Sequence, residues 1–497
     1  MVEPLDIAAA VATHVARRPA ATALAWQGGA VTYRGLDELA ADAGAGLRDL
    51  GRAPGEPLGA ALTKGPAAVA LVLACLRERR PVLLVPPDLA PATRTALWAR
   101  AGCRYGLPHG DPRAPEAVPH PAGPATAASP AGGAGDHPAL LLTTSGTTGV
   151  PKVVPLGGGA VGRFVAWAID RFGLAPGTAV LSHAPLHFDL SLLDVWATLS
   201  AGGQVVLVEP GREVRPDHLH RLLSVHRVEV VQAVPMVYRL LLGSPATAGA
   251  PLGHLRHVIF TGDHLSPADA LRLRDLAPAA RLHNVYGCTE TNDSFAHELG
   301  DDPFDGARGG VLPIGRPLPG VSAVIVGPDG AEVGGAGEGE LWVSTPFQTT
   351  GYAGGGGPQP FAPRPETPER PWFRTGDLVA RDATGRIVLT GRRDHQVKVR
   401  GVRVDTAQVE QLLRTHPHVV DAAVVAAPDP VGGHALHAVV QRAAGSGLDS
   451  LALRSYCAGR LAAAAIPSSI RLGDLPLPRT STGKPDRRSI AAALATS

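Results

Sequence analysis

Residues 141–152 form the stretch of this 497-residue chain whose composition best suits phosphate binding. They read LLTTSGTTGVPK, an apolar run followed by Ser, Thr and Gly residues and then Lys152. Glycines let main-chain N–H groups approach an anion closely, hydroxyls add donors, and the lysine adds a point charge. The spacing is not the GxxxxGK[ST] of a P-loop. A bare Ser/Thr/Gly turn is more often a plain polar loop, so the prediction depends on the whole string.

Lysine is scarce in this sequence, which makes each lysine informative. Of 46 basic residues only Lys64, Lys152, Lys398 and Lys484 are lysines, and the rest are arginines. A compact ammonium with rotatable donors fits where a planar guanidinium does not. Chance retention explains any single lysine equally well, but three of the four fall inside stretches that suggest chemistry.

Residues 283–291, HNVYGCTET, combine an amide, an aromatic ring, a glycine turn and a carboxylate. The ring of Tyr286 can stack on a nucleobase and the amide of Asn284 can bind its edge. The carboxylate of Glu290, placed beside a triphosphate, is a natural Mg²⁺ ligand. An isolated Tyr-Gly pair would indicate no more than a strand end.

Three later stretches add candidate side chains. Residues 373–378 (FRTGDL) place Asp377 after a glycine turn, where its carboxylate can accept hydrogen bonds from ribose hydroxyls. Residues 391–404 (GRRDHQVKVRGVRV) predict a basic hairpin, and residues 478–487 (PRTSTGKPDR) place Lys484 in a loop between Gly and Pro. Taken alone, these are a common turn, a solvated hairpin and a surface lysine.

In this order, the stretches resemble the signatures of the adenylate-forming superfamily, which contains acyl-CoA synthetases, luciferases and the adenylation domains of non-ribosomal peptide synthetases. The resemblance runs from about Asp6 to Ile490. It implies ATP and Mg²⁺ as cofactors, with Glu290 as the metal ligand and with Thr289, Glu290 and Lys484 as catalytic residues. The family usually has Pro where this chain has Cys288, which affects the stiffness of the turn. The ATP-binding positions implied by the resemblance are Thr144, Ser145, Gly146, Thr147, Thr148, Gly149, Lys152, Asn284, Tyr286, Gly287, Asp377 and Arg392.

The same resemblance implies a moving small domain. Asp394 would be the hinge about which that domain rotates between an adenylation pose and a transfer pose. Lys398 and Gly401 would face the pantetheine tunnel in the second pose. Lys484 would hold the substrate carboxylate and stabilise charge on the α-phosphate as pyrophosphate leaves.

Residues 185–196, PLHFDLSLLDVW, indicate the substrate class. In this superfamily an Asp in FDxS marks members that activate amino acids, and Asp189 matches it. A buried carboxylate without a cationic partner is costly, so an ammonium ligand is physically reasonable. The alternative is that Asp189 caps the helix that follows.

Alignment with the family gives a pocket of mixed polarity, from which we predict a polar aliphatic amino acid. A second amine or a hydroxyl of that substrate could meet Asp293, so diamino, hydroxy and β-amino acids all fit. The pocket positions are Asp189, Leu190, Leu193, Gln232, Ile259, Thr261, Gly262, Val285, Asp293 and Ser294, together with Lys484.

Helical and strand-like patterns alternate through the first three hundred residues, which predicts an α/β fold with parallel sheets covered by helices. From about Gly309 short strands predict a distorted β-barrel subdomain. We therefore expect a large N-terminal core of two βα-type sheets plus this barrel at residues 1–393, and a small mobile α+β domain at residues 394–497.

Composition excludes several classes of protein. A balance of 46 basic to 44 acidic residues argues against a nucleic-acid binder. The four scattered cysteines suit neither a disulfide framework nor a zinc site. No signal peptide or membrane-spanning run of about 18 apolar residues is evident. A cytoplasmic monomer without nucleic-acid or membrane partners is expected.

The sequence thus predicts a free-standing amino-acid adenylation enzyme. No carrier motif follows the Lys484 loop, so a separate phosphopantetheinylated carrier protein is the expected partner. The alternatives are an acyl-CoA synthetase or acyl-AMP ligase for a simple acid, and a non-catalytic nucleotide-binding homologue. An oxidoreductase is disfavoured because no GxGxxG joins a strand to a helix.

Overall fold

The computed structural model describes residues 3–51, 55–119, 137–144, 151–247, 249–302, 307, 311–354, 360–364, 370–393, 396–443, 445–478 and 485–495. The chain divides into two compact units. The first comprises Met1–Pro87, Trp98–Thr143 and Val153–Arg393. The second comprises Asp88–Leu97, Thr144–Lys152 and Asp394–Ser497.

Helices and strands alternate along most of the chain. The helices are α1 (Ile7–Arg17), α2 (Tyr33–Asp49), α3 (Pro66–Arg77), α4 (Pro91–Arg100), α5 (Gly158–Phe172), α6 (Thr198–Ser200), α7 (Pro216–Val225), α8 (Pro235–Leu242), α9 (Pro267–Leu276), α10 (Thr406–Arg414), α11 (Ser450–Ala458) and α12 (Arg487–Ala495). A π-helix covers Leu192–Ala197, and short 3-10 turns cover Pro245–Thr247 and Ala463–Ala465. The strands are β1 (Thr22–Trp26), β2 (Gly29–Thr32), β3 (Leu58–Ala61), β4 (Val82–Val85), β5 (Tyr105–Leu107), β6 (Glu116–Ala117), β7 (Pro138–Thr144), β8 (Lys152–Gly157), β9 (Ala179–Ser182), β10 (Gln204–Leu207), β11 (Val230–Ala233), β12 (His257–Thr261), β13 (Arg281–Cys288), β14 (Asn292–Glu298), β15 (Arg316–Pro317), β16 (Ser322–Val326), β17 (Gly337–Ser344), β18 (Phe361–Ala362), β19 (Trp372–Arg381), β20 (Ile387–Arg392), β21 (Gln396–Val399), β22 (Val402–Asp405), β23 (Val419–Asp429), β24 (Gly433–Arg442) and β25 (Ser469–Gly473).

The largest sheet has nine strands in the order β15-β14-β13-β12-β11-β9-β10-β1-β2. The six neighbouring strands from β13 to β1 are parallel. Strands such as β11 (VVQA) and β12 (HVIFT) are buried along their whole length. Near-continuous apolar runs of this kind are typical of parallel strands covered on both faces.

A second sheet of the βα type has six strands in the order β6-β5-β3-β4-β7-β8. Trp98 of α4 lies flat against this sheet and is buried. Glycine at positions 59 and 106 makes the approach possible, because a Cβ there would lie 2.3 and 2.1 Å from the indole. Close packing of this kind fixes the position of the indole on β3 and β5.

Beyond residue 311 the chain forms an antiparallel sheet in the order β16-β17-β19-β18, with β20 paired to β19. Short strands joined by turns produce this pattern, as the sequence predicted from about Gly309 onward. The register of β19 and β20 places Asp377 opposite Arg392.

The second unit contains a small α+β module with its own core. A three-stranded sheet, β23-β24-β25, packs with α10 and α11, and β21 pairs with β22 in a hairpin. The expected α/β class, with a large N-terminal part and a smaller C-terminal part, is confirmed.

Candidate active site

The parallel strands of the nine-stranded sheet bring several predicted pocket residues to one edge. The register pairs Gln232 with Ile259 and Thr261 with Val285 across β11, β12 and β13. Parallel strands end at the same edge of a sheet, and ligands of open α/β sheets bind at that carboxyl edge. Gly262, directly after β12, has φ +80° and turns the chain where a side chain would be strained.

The hairpin of β13 and β14 carries the next group of residues. Gly287 lies opposite Asp293, and a Cβ at Gly287 would lie 2.2 Å from the carbonyl oxygen of Asn292. Glycine is therefore required for the strands to approach. Asp293 and Ser294 are both buried, 8% and 0% exposed.

Asp377 joins two residues that are distant in sequence. The hydroxyl of Tyr286 donates to Asp377 Oδ2 at 2.5 Å, and Arg392 Nη1 donates to Oδ1. Arg392 Nη2 also donates to the carbonyl of Thr375 at 3.1 Å. The three side chains predicted to contact a nucleoside are thus assembled around one carboxylate.

The aromatic ring of Tyr286 is more enclosed than a stacking platform requires. The residue is 4% exposed and its ring lies edge-on to Phe295, with centroids 6.0 Å apart. Burial raises the pKa of its hydroxyl well above the usual value, and the charge of Asp377 acts in the same direction. Asn284 Nδ2 donates to the carbonyl of Pro313 at 2.8 Å.

Glu290 is buried, 2% exposed, and its Oε1 accepts a hydrogen bond from Tyr352 at 2.7 Å. Its main-chain carbonyl accepts from the Thr349 amide at 2.9 Å, which fixes the turn. Within the described part of the chain no group of three His, Cys, Asp or Glu residues could hold a metal ion. The oxygens of one carboxylate fit Mg²⁺, which usually takes one or two carboxylates and completes its shell with water and phosphate oxygens.

Two further carboxyl groups, of Asp189 and Asp293, lie close enough to influence each other. Burial raises the pKa of Asp293 to about 8, and the charge of Asp189 adds to the rise. Burial also raises the pKa of Asp189, hydrogen bonding from Thr289 opposes the rise, and the charge of Glu290 adds to it. Such a group of desolvated carboxyls favours a ligand that brings positive charge.

Leu193, another predicted pocket residue, is fully buried in the π-helix, whereas Leu190 is half-buried just before it. π-Helical turns are rare and frequently occur at functional sites. This turn was not predicted from the sequence.

Lys64 is a further residue for which no role was predicted from the sequence. Its Nζ donates to the carbonyls of Ser182, His183 and Ala184 at 2.8, 2.7 and 3.3 Å. The scarcity of lysine was the one signal that could have drawn attention to it.

The other predicted residues belong to the second unit or are not described. Thr144 is the last residue of β7 and Lys152 the first of β8, neighbours in the six-stranded sheet. Lys398 lies on β21, and Gly401, with φ +80°, lies in the turn before β22. Ser145, Gly146, Thr147, Thr148, Gly149, Asp394 and Lys484 lie outside the described residues.

Comparison with known families gives two matches. Residues 11–353 match the family described as AMP-binding enzyme. Residues 408–484 match the family described as AMP-binding enzyme C-terminal domain. Together they cover most of both units.

Similar proteins include two L-proline ligases of the L-prolyl-carrier protein. The one from Pseudomonas fluorescens is 35% identical over 360 residues, which is 72% of this chain and 68% of that protein. The one from Streptomyces coelicolor is 35% identical over 365 residues, which is 71% of this chain and 65% of that protein. This chain therefore spans about two thirds of their length.

Among solved structures, the amide bond synthetase McbA from Marinactinospora thermotolerans superposes with a TM-score of 0.81. The two chains are 27% identical, and the superposition covers 98% of this chain and 99% of that one. None of the helices in the described part of this chain is long and apolar enough to span a bilayer.

Proposed function

This chain belongs to the AMP-binding enzyme family of AMP-forming ligases, and we propose that it activates an amino acid and loads it onto a carrier protein. The observation that carries the proposal is the buried carboxyl of Asp293, which lies opposite Gly287 near the carboxyl end of β13 and whose pKa the charge of Asp189 helps to raise. A substrate ammonium would favour the ionised form of both carboxyls, whereas a simple acid would add a further negative charge.

In the first step an oxygen of the substrate carboxylate attacks the α-phosphorus of ATP. A carbon–oxygen–phosphorus linkage forms, the bond to the β-phosphate breaks, and pyrophosphate leaves. Asp377 and Arg392 would hold the ribose, while Lys484 would stabilise charge on the α-phosphate. Mg²⁺, held by Glu290, would neutralise phosphate charge when bound. The substrate's ammonium would be held by Asp189.

In the second step the thiol of a carrier-bound phosphopantetheine attacks the acyl carbon. The new thioester bond replaces the bond to AMP, which leaves with its pair of electrons. Lys398 and Gly401 would face the pantetheine arm after the small domain turns at Asp394. Positioning and charge stabilisation suffice, so this chain need supply no nucleophile.

The substrate is a polar aliphatic amino acid in this proposal. Asp189 would bind the amine next to the carboxylate, and Asp293 would bind a second amine or a hydroxyl. The related proline ligases support an amine-bearing acid as the substrate class. The pathway we propose is the assembly of a peptide or hybrid polyketide natural product.

Amino-acid-dependent ATP–pyrophosphate exchange across diamino, hydroxy and β-amino acids tests the first step. We expect strong exchange with one polar amino acid, lost in Lys484→Ala. Asp189→Asn, which preserves size, should abolish exchange with every amine-bearing acid, while Asp293→Asn should change the preferred side chain. Exchange only with simple acids would favour an acyl-CoA synthetase or acyl-AMP ligase, and silence with every acid would favour a non-catalytic homologue.

A second acceptor class deserves the same assay because of the likeness to the amide bond synthetase. There the activated acyl group would pass to a free amine rather than a thiol. Supplying the activated enzyme with a phosphopantetheinylated carrier or with an amine distinguishes the two. Mass spectrometry of the carrier should show the added acyl group, and amide formation alone would overturn the carrier assignment.

A further inference from the structure

Lys64 binds the main chain directly before the loop that carries Asp189. We use "substrate loop" for residues 185–191, which join β9 to the π-helix and include Asp189. The three carbonyls that accept from Lys64 Nζ belong to Ser182, His183 and Ala184, the residues directly before this loop. One ammonium therefore binds three successive peptide units at its entrance.

A lysine is specifically suited to this arrangement. An ammonium has three donors on one atom and can converge on carbonyls that lie close together, whereas a guanidinium spreads its donors across a plane. In a chain that otherwise uses arginine for positive charge, lysine at position 64 matches the geometry found here.

An acidic residue, Asp194, lies three positions beyond the substrate loop. Asp194 lies in the π-helix and is 0% exposed. Among the described residues neither of its carboxylate oxygens has a hydrogen-bond partner. Burial of an isolated carboxylate is unfavourable unless a cation lies nearby or the group takes up a proton, so a nearby cation would favour the ionised form.

The charge of Lys64 affects the pKa of Asp194. Burial raises the pKa of Asp194 well above the usual value, and the charge of Lys64 opposes that rise. Burial lowers the pKa of Lys64 to about 8, while Asp194, Glu213 and Glu209 oppose the fall. His183 and His187 face the same ammonium, and burial together with the charge of Lys64 lowers the pKa of each to about 4. Both are therefore neutral neighbours.

The π-helix places Asp194 next to Leu193, a predicted pocket residue. It packs against β9 and β11, and Leu193 lies beside Asp194 in the same turn. On the sheet, the Tyr238 hydroxyl donates to the carbonyls of Val231 and Ile259 at 3.1 and 2.7 Å. Burial raises the pKa of this hydroxyl, and the charge of Asp194 adds to the rise.

We propose that Lys64, which is half-buried, and Asp194, which is fully buried, are a positioning pair of opposite charge on either side of the substrate loop, so that Asp189 is oriented to bind the substrate's ammonium group. This inference rests on the proposed amino-acid activation. Neither residue touches the reacting atoms in this account. Their contribution is to the affinity for the amino acid and not to the affinity for ATP.

Kinetics of Lys64→Met, Lys64→Arg and Asp194→Asn in the exchange assay test the pair. We expect each to raise the KM for the amino acid by about 10- to 100-fold, because misplacing a binding group by an ångström has effects of that size. The KM for ATP should change by less than about threefold. Because the two residues act as one unit, the double variant Lys64→Met/Asp194→Asn should be no worse than the poorer single variant.

Gly106→Ala is the matched control for lost stability, since it disturbs the packing of Trp98 on the other sheet. It should lower the folded fraction without separating the two KM values. Parallel changes of both KM values in the Lys64 variants, multiplicative effects in the double variant, or full rescue by Lys64→Arg would each overturn the pair as described.

Amide hydrogen exchange gives a readout that does not depend on activity. In Lys64→Met the amides of Phe188, Ser191 and Leu192, which close turns within and after the loop, should exchange at least tenfold faster. In Gly106→Ala they should not. Unchanged exchange would overturn the positioning role even in an active enzyme. Wild-type silence with every amine-bearing acid would instead overturn the proposed function and, with it, the link to the ammonium.

Discussion

The carboxyl of Asp293 makes stability depend on pH in a direction opposite to that of most acidic residues. Its pKa is 3.8 in the unfolded chain and about 8 in the folded protein. Between these values the folded state holds a proton that the unfolded state has lost, so the free energy of unfolding falls as pH rises. The stabilisation is fully present below pH 3.8 and is lost as pH rises through about 8.

Asp293→Asn should remove this dependence. Without ligand, the variant's advantage in free energy of unfolding should grow between pH 5 and pH 8 by at most about 1.4 kcal/mol per pH unit, because the folded and unfolded states differ there by up to one proton. Denaturant unfolding at several pH values measures it. A substrate ammonium should reverse the trend, because it favours the ionised carboxyl. A constant offset between wild type and variant at all pH values would contradict the assignment.

At the level of helices and strands, the sequence predicts those elements whose position depends on a local hydrophobic pattern. The apolar run at Ala179–Ser182 predicts a strand with the bounds of β9. The pattern at residues 216–226 predicts a helix that is one residue longer at its end than α7. The short helices α8 and α9, each beginning at a proline close behind a strand, were not recognised. The π-helix was missed because its extra residue per turn depends on packing against β9 and β11, which no local periodicity records.

The candidate site divides in the same way. Asp189, Asp377 and Glu290 lie in short sequence motifs, so their chemistry could be predicted from neighbouring residues in the sequence. The bonds from Lys64 to the residues just before the substrate loop join positions 118–120 apart, and the bond between Tyr286 and Asp377 joins positions 91 apart. Such contacts arise when sheets and loops pack, and a single sequence does not display them.

The contact between α4 and the six-stranded sheet depends on two glycines. Gly106→Ala would place a Cβ 2.1 Å from the buried indole of Trp98, so the helix or the strand must shift. We expect a loss of about 1–3 kcal/mol in the free energy of unfolding, as for other overpacked cores. Thermal or denaturant unfolding measures it.

Gly253→Ala is the corresponding control, because nothing lies within 4 Å of a Cβ there and the residue is exposed. It should leave the unfolding midpoint nearly unchanged. Equal midpoints for Gly106→Ala and wild type would show that Trp98 is not packed as described.

For the molecule as a whole, the C-terminal helix α12 is tied to the small module by one buried carboxylate. Glu410 of α10 is 3% exposed and accepts from Arg487 Nη2 with both oxygens at 2.8 Å, and from the Val424 amide at 2.8 Å. Ile490 adds an apolar contact with Val425. In the proposed function this anchor would also affect catalysis, because Lys484 precedes Arg487 by only three positions.

Arg487→Met should therefore act on stability and on activity together. It removes one of the two arginines that pair with Glu410 and leaves Arg414, 3.5 Å from Oε2, so the loss in the free energy of unfolding should stay below the value of about 3–5 kcal/mol for a fully unpaired buried charge. We expect faster amide exchange in β23 and β24 with unchanged exchange in β11 to β13, and a lower kcat for adenylation because the segment carrying Lys484 loses its anchor. Arg442→Met, which breaks an exposed pair with Asp474, is the matched control and should change neither. Equally faster amide exchange in both units would mean that they unfold together. A normal kcat for adenylation despite faster exchange in β23 and β24 would show that the anchor does not affect the proposed role of Lys484.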